Sequence, residues 1–390
     1  MSLLKVNTIR HSSASSDAIT LASDGTATAK ITNNLSNRNL IINGSMQVAQ
    51  RGTSATTTTN TFVVDRFNTA IVGENEASTT AQITLTSSDT GPWAKGFRNA
   101  LQITNGNQTG GAGAGDTQQL TYIVEAQDIA QSGWDYTSAS SYITLSFWVK
   151  SSVAQNFYGY IRSEDGTKQL YAIETGSLSA NTWAKVTKTI PGNSNIQIDN
   201  NNGSGLLICL YAFEGADKTD SGQGLNSWGA YSSSSRTPDN TSTWWTTNDA
   251  TFAITGVQLE VGDTATDYEH RSYADELRRC QRYYYKIASD AAYSEMTIGT
   301  GHQNGSYGVV TIQNPVPMRT KPSITVPTVT DAYSLYYKGG VTRSNTISLS
   351  GNATNFWIEL SHTNFGADDG AAGVMRIVDN TAWVEVHSEL

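Results

Sequence analysis

The sequence predicts an all-β protein: a jelly-roll β-sandwich plus a smaller C-terminal β-domain, with one short linking helix and an extended N-terminal attachment segment. Three observations carry that expectation. Charged side chains make up only 15% of the 390 residues and apolar ones 38%, and 34 glycines and many Ser, Thr, Asn and Gln fill the gap. Such a composition suits strands with one wet face and frequent turns, and it holds too little charge to keep a chain expanded. Short runs with apolar residues at alternate positions recur from residue 39 onward. Helical spacing stands out in one segment, 274–285.

The elements follow in order. Residues 1–37 hold apolar islands (Leu3, Leu4, Val6 and Ile9, then Ile19, Leu21 and Ile31) among Ser, Thr, Ala and Asp. One chain could bury little with them. This stretch therefore reads as an attachment or oligomerising segment, with Leu4, Val6 and Ile9 as subunit contacts. Residues 38–270 read as the sandwich, with strands around 40–48, 61–67, 81–86, 100–103, 118–124, 142–150, 156–162, 170–173, 182–190, 205–213 and 250–261. The first and last of these should lie side by side and close it.

Ser272, with an acid three residues on at Asp275, resembles a capping box. Leu277, Cys280 and Tyr284 then share a face, with Arg278, Arg279 and Arg282 largely opposite. A helix over 274–285, inside a linking region 271–286, would point Tyr283, Tyr284 and Tyr285 in three directions. At least one should then pack on a neighbouring subunit. Alternation resumes in eight runs between 295 and 387, which predicts a second β-domain at 287–390. Four of the seven prolines lie between Pro315 and Pro327, where edges and turns tolerate them.

The formal charge is 25 − 34 = −9. An acidic chain without a basic stripe lacks the electrostatic footprint of nucleic-acid binding. Cys209 lies in a strand-like apolar run and Cys280 on the apolar helix face, so both read as small buried hydrophobes rather than a disulfide framework. No apolar run approaches membrane-spanning length, and the start shows no signal-peptide core. The expectation is synthesis in a reducing cytoplasm, no nucleic-acid partner and no membrane insertion.

Two stretches carry a family resemblance. Asn39-Leu40-Ile41-Ile42-Asn43-Gly44-Ser45-Met46-Gln47-Val48, within 37–52 and followed by Asp65-Arg66-Phe67, resembles the opening of β-sandwich modules in tail-fibre-type proteins of tailed bacteriophages, of the cyanophage and marine-phage kind. Gly256-Val257-Gln258-Leu259-Glu260-Val261-Gly262-Asp263, running on to Arg282-Tyr283-Tyr284-Tyr285, is similar to their closing strand and exit helix. Residues 7–14 and 24–26 resemble the virion-proximal start of such fibres, and the sandwich outline resembles carbohydrate-binding jelly rolls.

The resemblance implies a homotrimeric virion appendage, made in the host cytoplasm. Its N-terminal segment would dock on another virion protein, and its distal β-domains would meet a host cell-surface glycan or protein. A capsid-mounted head fibre or decoration protein, and a polysaccharide depolymerase tailspike, are the alternatives.

No catalytic constellation emerges, and the expectation is a non-enzyme without cofactor or bound metal. His11, His270, His302, His362 and His387 are scattered, without zinc spacing. Paired carboxylates could support glycoside hydrolysis. Yet Glu164-Asp165, Asp217 with Asp220, and Asp368-Asp369 lie in apparent turns, where acids serve local backbone hydrogen bonds. Asp263, Asp267 and Glu269 lack diagnostic Ca²⁺ spacing.

Glycan binding is the more serious chemistry, because sugar faces stack on aromatic rings held in loops. Trp228, Tyr231, Trp244 and Trp245, in the polar 214–247 segment, are one candidate set. The competing reading of that segment is a loop folded over the sandwich or onto a neighbour. Tyr333, Tyr336 and Tyr337, near the Gly339-Gly340 turn, are the other set. Trp148, Trp183 and Trp357 lie in alternating strands and read as core.

Overall fold

A computed structural model describes residues 6–15, 17–29, 37–288, 296–304, 307–337, 340–351, 353–363 and 372–390. Leu4 lies outside them, as do Gly339 and the Asp368-Asp369 pair. Residues 38–270 fold as two antiparallel six-stranded sheets packed face to face. One sheet runs Trp228–Ala230, Gln169–Ser177, Asn156–Ser163, Ser204–Glu214, Thr117–Glu125, Asn68–Val72. The other runs Ala184–Pro191, Tyr142–Ser151, Thr251–Val261, Asn99–Thr104, Thr79–Thr84, Ser54–Thr56.

Strict alternation decides which residues meet between the sheets. Ile143, Leu145, Phe147 and Val149 face Leu206, Ile208 and Leu210 and their neighbours across one continuous core. The side chains in the opposite phase build two smaller clusters on the outer faces. Tyr160, Leu170, Cys209 and Tyr211 form one; Leu85, Phe97 and Trp183, with Trp148 packed against them, form the other. Trp148 is thus corrected: it is half-buried on an outer face, one position out of phase with the central core, whereas Trp183 is buried, in the cluster on that outer face. Cys209 and Cys280 are both buried free thiols, and burial raises the Cys209 thiol to about 12.

The 40–48 strand expectation is also corrected. This segment lies beside Thr251–Val261, with the Leu40 N–H donating to the Leu259 carbonyl and the Val257 N–H to that of Gly44, both at 2.9 Å. It does not form a regular ladder, since Asn43 and Met46 both sit at left-handed φ, 61° and 59°. The Asn43 side chain takes over the lost pairing. It accepts from the Val48 N–H at 2.9 Å and donates to the carbonyls of Val48 and Asp65 at 2.8 and 3.0 Å.

The linking helix spans Tyr273–Gln281, capped by the Ser272 hydroxyl accepting from the Asp275 N–H. It stops short of the tyrosines. Tyr284–Ala288 is instead a strand paired with Trp383–His387, which also pairs with Ser323–Thr325. This three-stranded sheet packs its Val384, Val386 and Tyr285 on the core of a seven-stranded antiparallel sheet. That sheet runs Gly340–Ser344, Tyr333–Tyr337, Ala372–Ile377, Met296–Asn304, Tyr307–Gln313, Trp357–Thr363, Ser348–Leu349.

Tyr283, Tyr284 and Tyr285 are therefore corrected as oligomer contacts: all three are buried within the chain. They lie where the sandwich meets the C-terminal unit, so two cores can accept rings that one could not. The Tyr283 hydroxyl donates to Glu125, whose carboxylate also takes two hydrogen bonds from Arg282, at 2.7 and 2.8 Å. Arg66, itself buried, stacks 3.5 Å from the Tyr283 ring centroid and reaches Glu389 at 2.5 Å. Arg51 stacks 3.4 Å from that of Tyr284 and pairs with Glu389 at 3.2 Å. Arg319 donates to the Asn202 carbonyl at 2.7 Å.

At the N-terminal end, three short strands (Thr8–Ile9, Ile19–Leu21 and Ala27–Ala29) pair without a core. Val6 and Ile9 stay 39% and 51% exposed. Among the described residues no helix is long and apolar enough to cross a membrane.

Two predictions follow from the seam. Glu389→Ala should strip the buried Arg66 of its carboxylate and lower the unfolding free energy by about 3 kcal/mol, read by urea denaturation. Burial raises the Asp65 carboxyl to about 6, against the charge of Arg51 and hydrogen bonds from Gln50. Its folded pKa lies above the unfolded value, so it takes up a proton on folding. Its contribution to stability is therefore unchanged below about pH 4, falls as pH rises to about 6, and is constant above. Asp65→Asn should flatten the pH profile across that window; an unchanged slope would refute the assignment.

Candidate functional site

The structure separates the sequence-predicted binding residues into buried and accessible ones. Trp244 and Trp245 are corrected as a glycan platform, since both are wholly buried in the sandwich core. Two indoles in a polar loop cost more in water than packed. The Trp245 ring lies 4.9 Å from that of Phe213, its N–H donates to the Gly111 carbonyl at 2.9 Å, and both tryptophan carbonyls accept from Asn105.

Of the rest of the 214–247 segment, Trp228–Ala230 is the edge strand of the first sheet, and Leu225 and Tyr231 pack on its outer face. The Asn226 N–H donates to the Ala172 carbonyl at 2.9 Å, and Arg236 donates to the Tyr211 hydroxyl at 2.8 Å. Trp228 is half-buried, its N–H donating to the Pro191 carbonyl at 2.7 Å and its ring 5.2 Å from that of Tyr171. Tyr231 is half-buried under the Arg162 guanidinium, 4.3 Å from its centroid. Trp228 thus extends the central core at the sheet edge, and Tyr231 joins the outer-face cluster.

In the C-terminal unit, Tyr333 is corrected as well. It is buried, and its hydroxyl donates to the Trp383 carbonyl at 2.8 Å. Tyr336 and Tyr337, each half-buried, line a shallow hollow of about 710 Å³ with Thr300, Gly301, His302, Ala372, Gly373 and Val374. The register explains the hollow. Tyr337 lies opposite Gly373, which lies opposite Gly301, so one row carries a ring and then two positions with no side chain. A Cβ on Gly373 would stand 2.6 Å from the Tyr336 carbonyl oxygen, so this row stays bare. Tyr336 points to the opposite face, with Arg376 4.4 Å from its centroid.

Gly301, His302 and Gly373 were not singled out from the sequence. A glycine in each of two alternating runs was the available signal, and only their cross-strand pairing gives it meaning. The site's position follows from topology. Asn304, Tyr337 and Ala372 end or begin their strands together, at one end of the sheet. Residues 314–319, at the far end of the strand that starts with Tyr307, face the seam with the sandwich.

Most of the described carboxylates weighed for hydrolysis or metal binding have structural partners. Glu164 pairs with Arg162 and Lys168, both at 2.6 Å, and Asp165 accepts from the Asp199 N–H at 2.8 Å. Asp220 accepts from the Gly222 N–H at 2.6 Å. Glu269 accepts from the N–H groups of Asn37 and Asn39, at 2.7 and 2.8 Å, and Asp267 pairs with Lys95.

No family model matches the chain, and no curated protein does either. Among solved structures, it is similar to the enzymatically active domain of tailspike protein 4 of bacteriophage CBA120, at 12% identity and a TM-score of 0.29. That match covers 57% of this chain and 21% of the tailspike. It is also similar to the xylan-binding CBM22-1 domain of Paenibacillus barcinonensis Xyn10C, at 11% identity and a TM-score of 0.28 over 61% of this chain and 100% of that one. A family 11 carbohydrate-binding module of Clostridium thermocellum matches at 14% identity and a TM-score of 0.25, over 56% and 98%. These scores are too low for any functional argument to rest on them.

Trp245→Ala should cost about 3–5 kcal/mol in urea denaturation, as expected for a large core ring. Tyr337→Ala should cost much less. Equal losses would contradict the burial difference.

Proposed function

We propose that the chain is a non-catalytic, homotrimeric fibre subunit of a tailed-phage virion that attaches to the host surface. The observation that carries this reading is the tyrosine-lined hollow at the end of the C-terminal sheet away from the sandwich seam. A receptor-facing site belongs at such an end, on strands that are already fixed, where aromatic faces can meet a glycan or protein with little loss of side-chain freedom.

Three further features support it. The sequence resemblance to phage fibre modules spans the entry and exit of the sandwich. The N-terminal strands expose Val6 and Ile9 with no core of their own, which suits contact with other copies or with a docking protein. Of the candidate hydrolytic carboxylates, Glu164, Asp165 and Asp220 are engaged in ion pairs and turn hydrogen bonds. With Tyr283, Tyr284 and Tyr285 buried within one chain, the trimer contact falls to the N-terminal segment.

Light scattering of the full chain should give about three chain masses, 3 × 41.9 = 125.7 kDa. Tyr337→Ala should preserve that mass while lowering binding on a glycan array or to host cells more than tenfold. A 41.9 kDa monomer would overturn the trimer, and undiminished binding would overturn the distal site. Immunogold at capsid vertices would replace the tail placement with a head fibre.

A further inference from the structure

The outer face of the second sandwich sheet carries a separate cleft. Along Tyr142–Ser151, Ser146 and Trp148 point outward, and Lys185 lies directly opposite Trp148 on the neighbouring strand. Phe97, Tyr268 and His270 pack against one another with ring centroids 4.8–5.1 Å apart, forming a second aromatic wall. These residues, with Lys95 and Asp267, line a cavity of about 290 Å³. Ligand pockets run from about 300 to 1,000 Å³ for drug-sized molecules, so this one has room for a single ring and little more.

The walls are built into the backbone. Gly256 sits at φ +64° in an irregular stretch of the Thr251–Val261 ladder, and a Cβ there would stand 2.6 Å from the Phe97 ring. A Cβ on Gly91, at φ +101°, would stand 2.6 Å from the Trp148 indole. Beside the cleft, Asp89 accepts from Lys150 at 2.8 Å and from the Trp183 indole at 2.9 Å. Burial works against that carboxylate, but these bonds and the Thr86 N–H hold it at about 2.

The charges select the ligand. Lys95 is paired with Asp267 at 3.3 Å, while Lys185 is exposed and makes no ion pair or hydrogen bond with a described residue. The cleft therefore carries 2 − 1 = +1 in a chain of net charge −9. The His270 Nε2 lies 2.8 Å from the Lys95 carbonyl, and donating there leaves Nδ1 as an acceptor. An aromatic face, an acceptor and one uncommitted cation fit a flat ring with hydroxyls and a carboxylate.

We propose that this cleft binds a pyranose sugar bearing a carboxylate, of the hexuronic-acid type, stacked on Trp148 with its carboxylate at Lys185. The site lies on the sandwich and is independent of the distal hollow, so either can fail without the other.

Ligand-observed saturation-transfer titrations of the full chain with methyl glucuronide and methyl glucoside test it. Glucuronide should bind with a dissociation constant of about 1 mM and glucoside about threefold more weakly, the preference shrinking in 1 M salt. Trp148→Ala should lower glucuronide binding at least tenfold. Lys185→Glu alters an exposed side chain and should remove or reverse the preference in a folded protein. Absence of glucuronide binding, equal binding of the two sugars, or a preference surviving Lys185→Glu would overturn the proposal.

Discussion

The structure depends on a buried arginine. Arg66 leaves the sandwich core, stacks on Tyr283 and meets Glu389 from the opposite end of the chain. A guanidinium out of water is costly unless its charge is matched, and here a carboxylate and an aromatic face do so, while the Ile123 carbonyl accepts from one of its terminal nitrogens. Ile123 belongs to the sandwich itself, but Tyr283 and Glu389 reach Arg66 only with the two β-units docked. Glu125 repeats the logic with the sign reversed, holding Arg282 and the Tyr283 hydroxyl. The seam thus joins two separate hydrophobic cores through polar groups that neither unit could satisfy alone.

This docking fixes where a ligand can be met. The end of the C-terminal sheet that faces the sandwich is occupied by Arg282, Arg319 and their partners. The other end of that sheet and the outer faces of the sandwich stay clear of the seam. On the first sheet Leu225 and Tyr231 of the 214–247 segment pack on the outer face. On the second, the aromatic cleft around Trp148 is open.

The aromatic residues show how chemistry and placement diverge. A tryptophan in a Ser- and Gly-rich loop looks accessible because its neighbours are polar, yet Trp244 and Trp245 are wholly buried. A tryptophan in an alternating strand looks like core, yet Trp148 stands on the outer face. In the first case the loop is long enough to bring its rings back to the core. In the second the signal was in the sequence: Trp148 shares a phase with Thr144, Ser146 and Lys150, while Ile143, Leu145, Phe147 and Val149 hold the other. Phase along a strand says more about burial than residue type does.

Composition, alternation and turn residues by themselves determined the all-β class, most strands of the sandwich, the single capped helix and its position between two β-units. These are local properties, set by side-chain period and backbone preference over a few residues. Tertiary structure alone decided the rest. The helix ends at Gln281 because Tyr284–Ala288 gains a ladder with Trp383–His387, a partner about a hundred residues away. Residues 40–48 forgo a ladder because Asn43 satisfies their backbone groups from its side chain. The hollow at Gly301 and Gly373 exists only once those two strands are in register. Pairings between distant segments depend on which surfaces remain unburied after the local elements form, and no window of sequence contains that information.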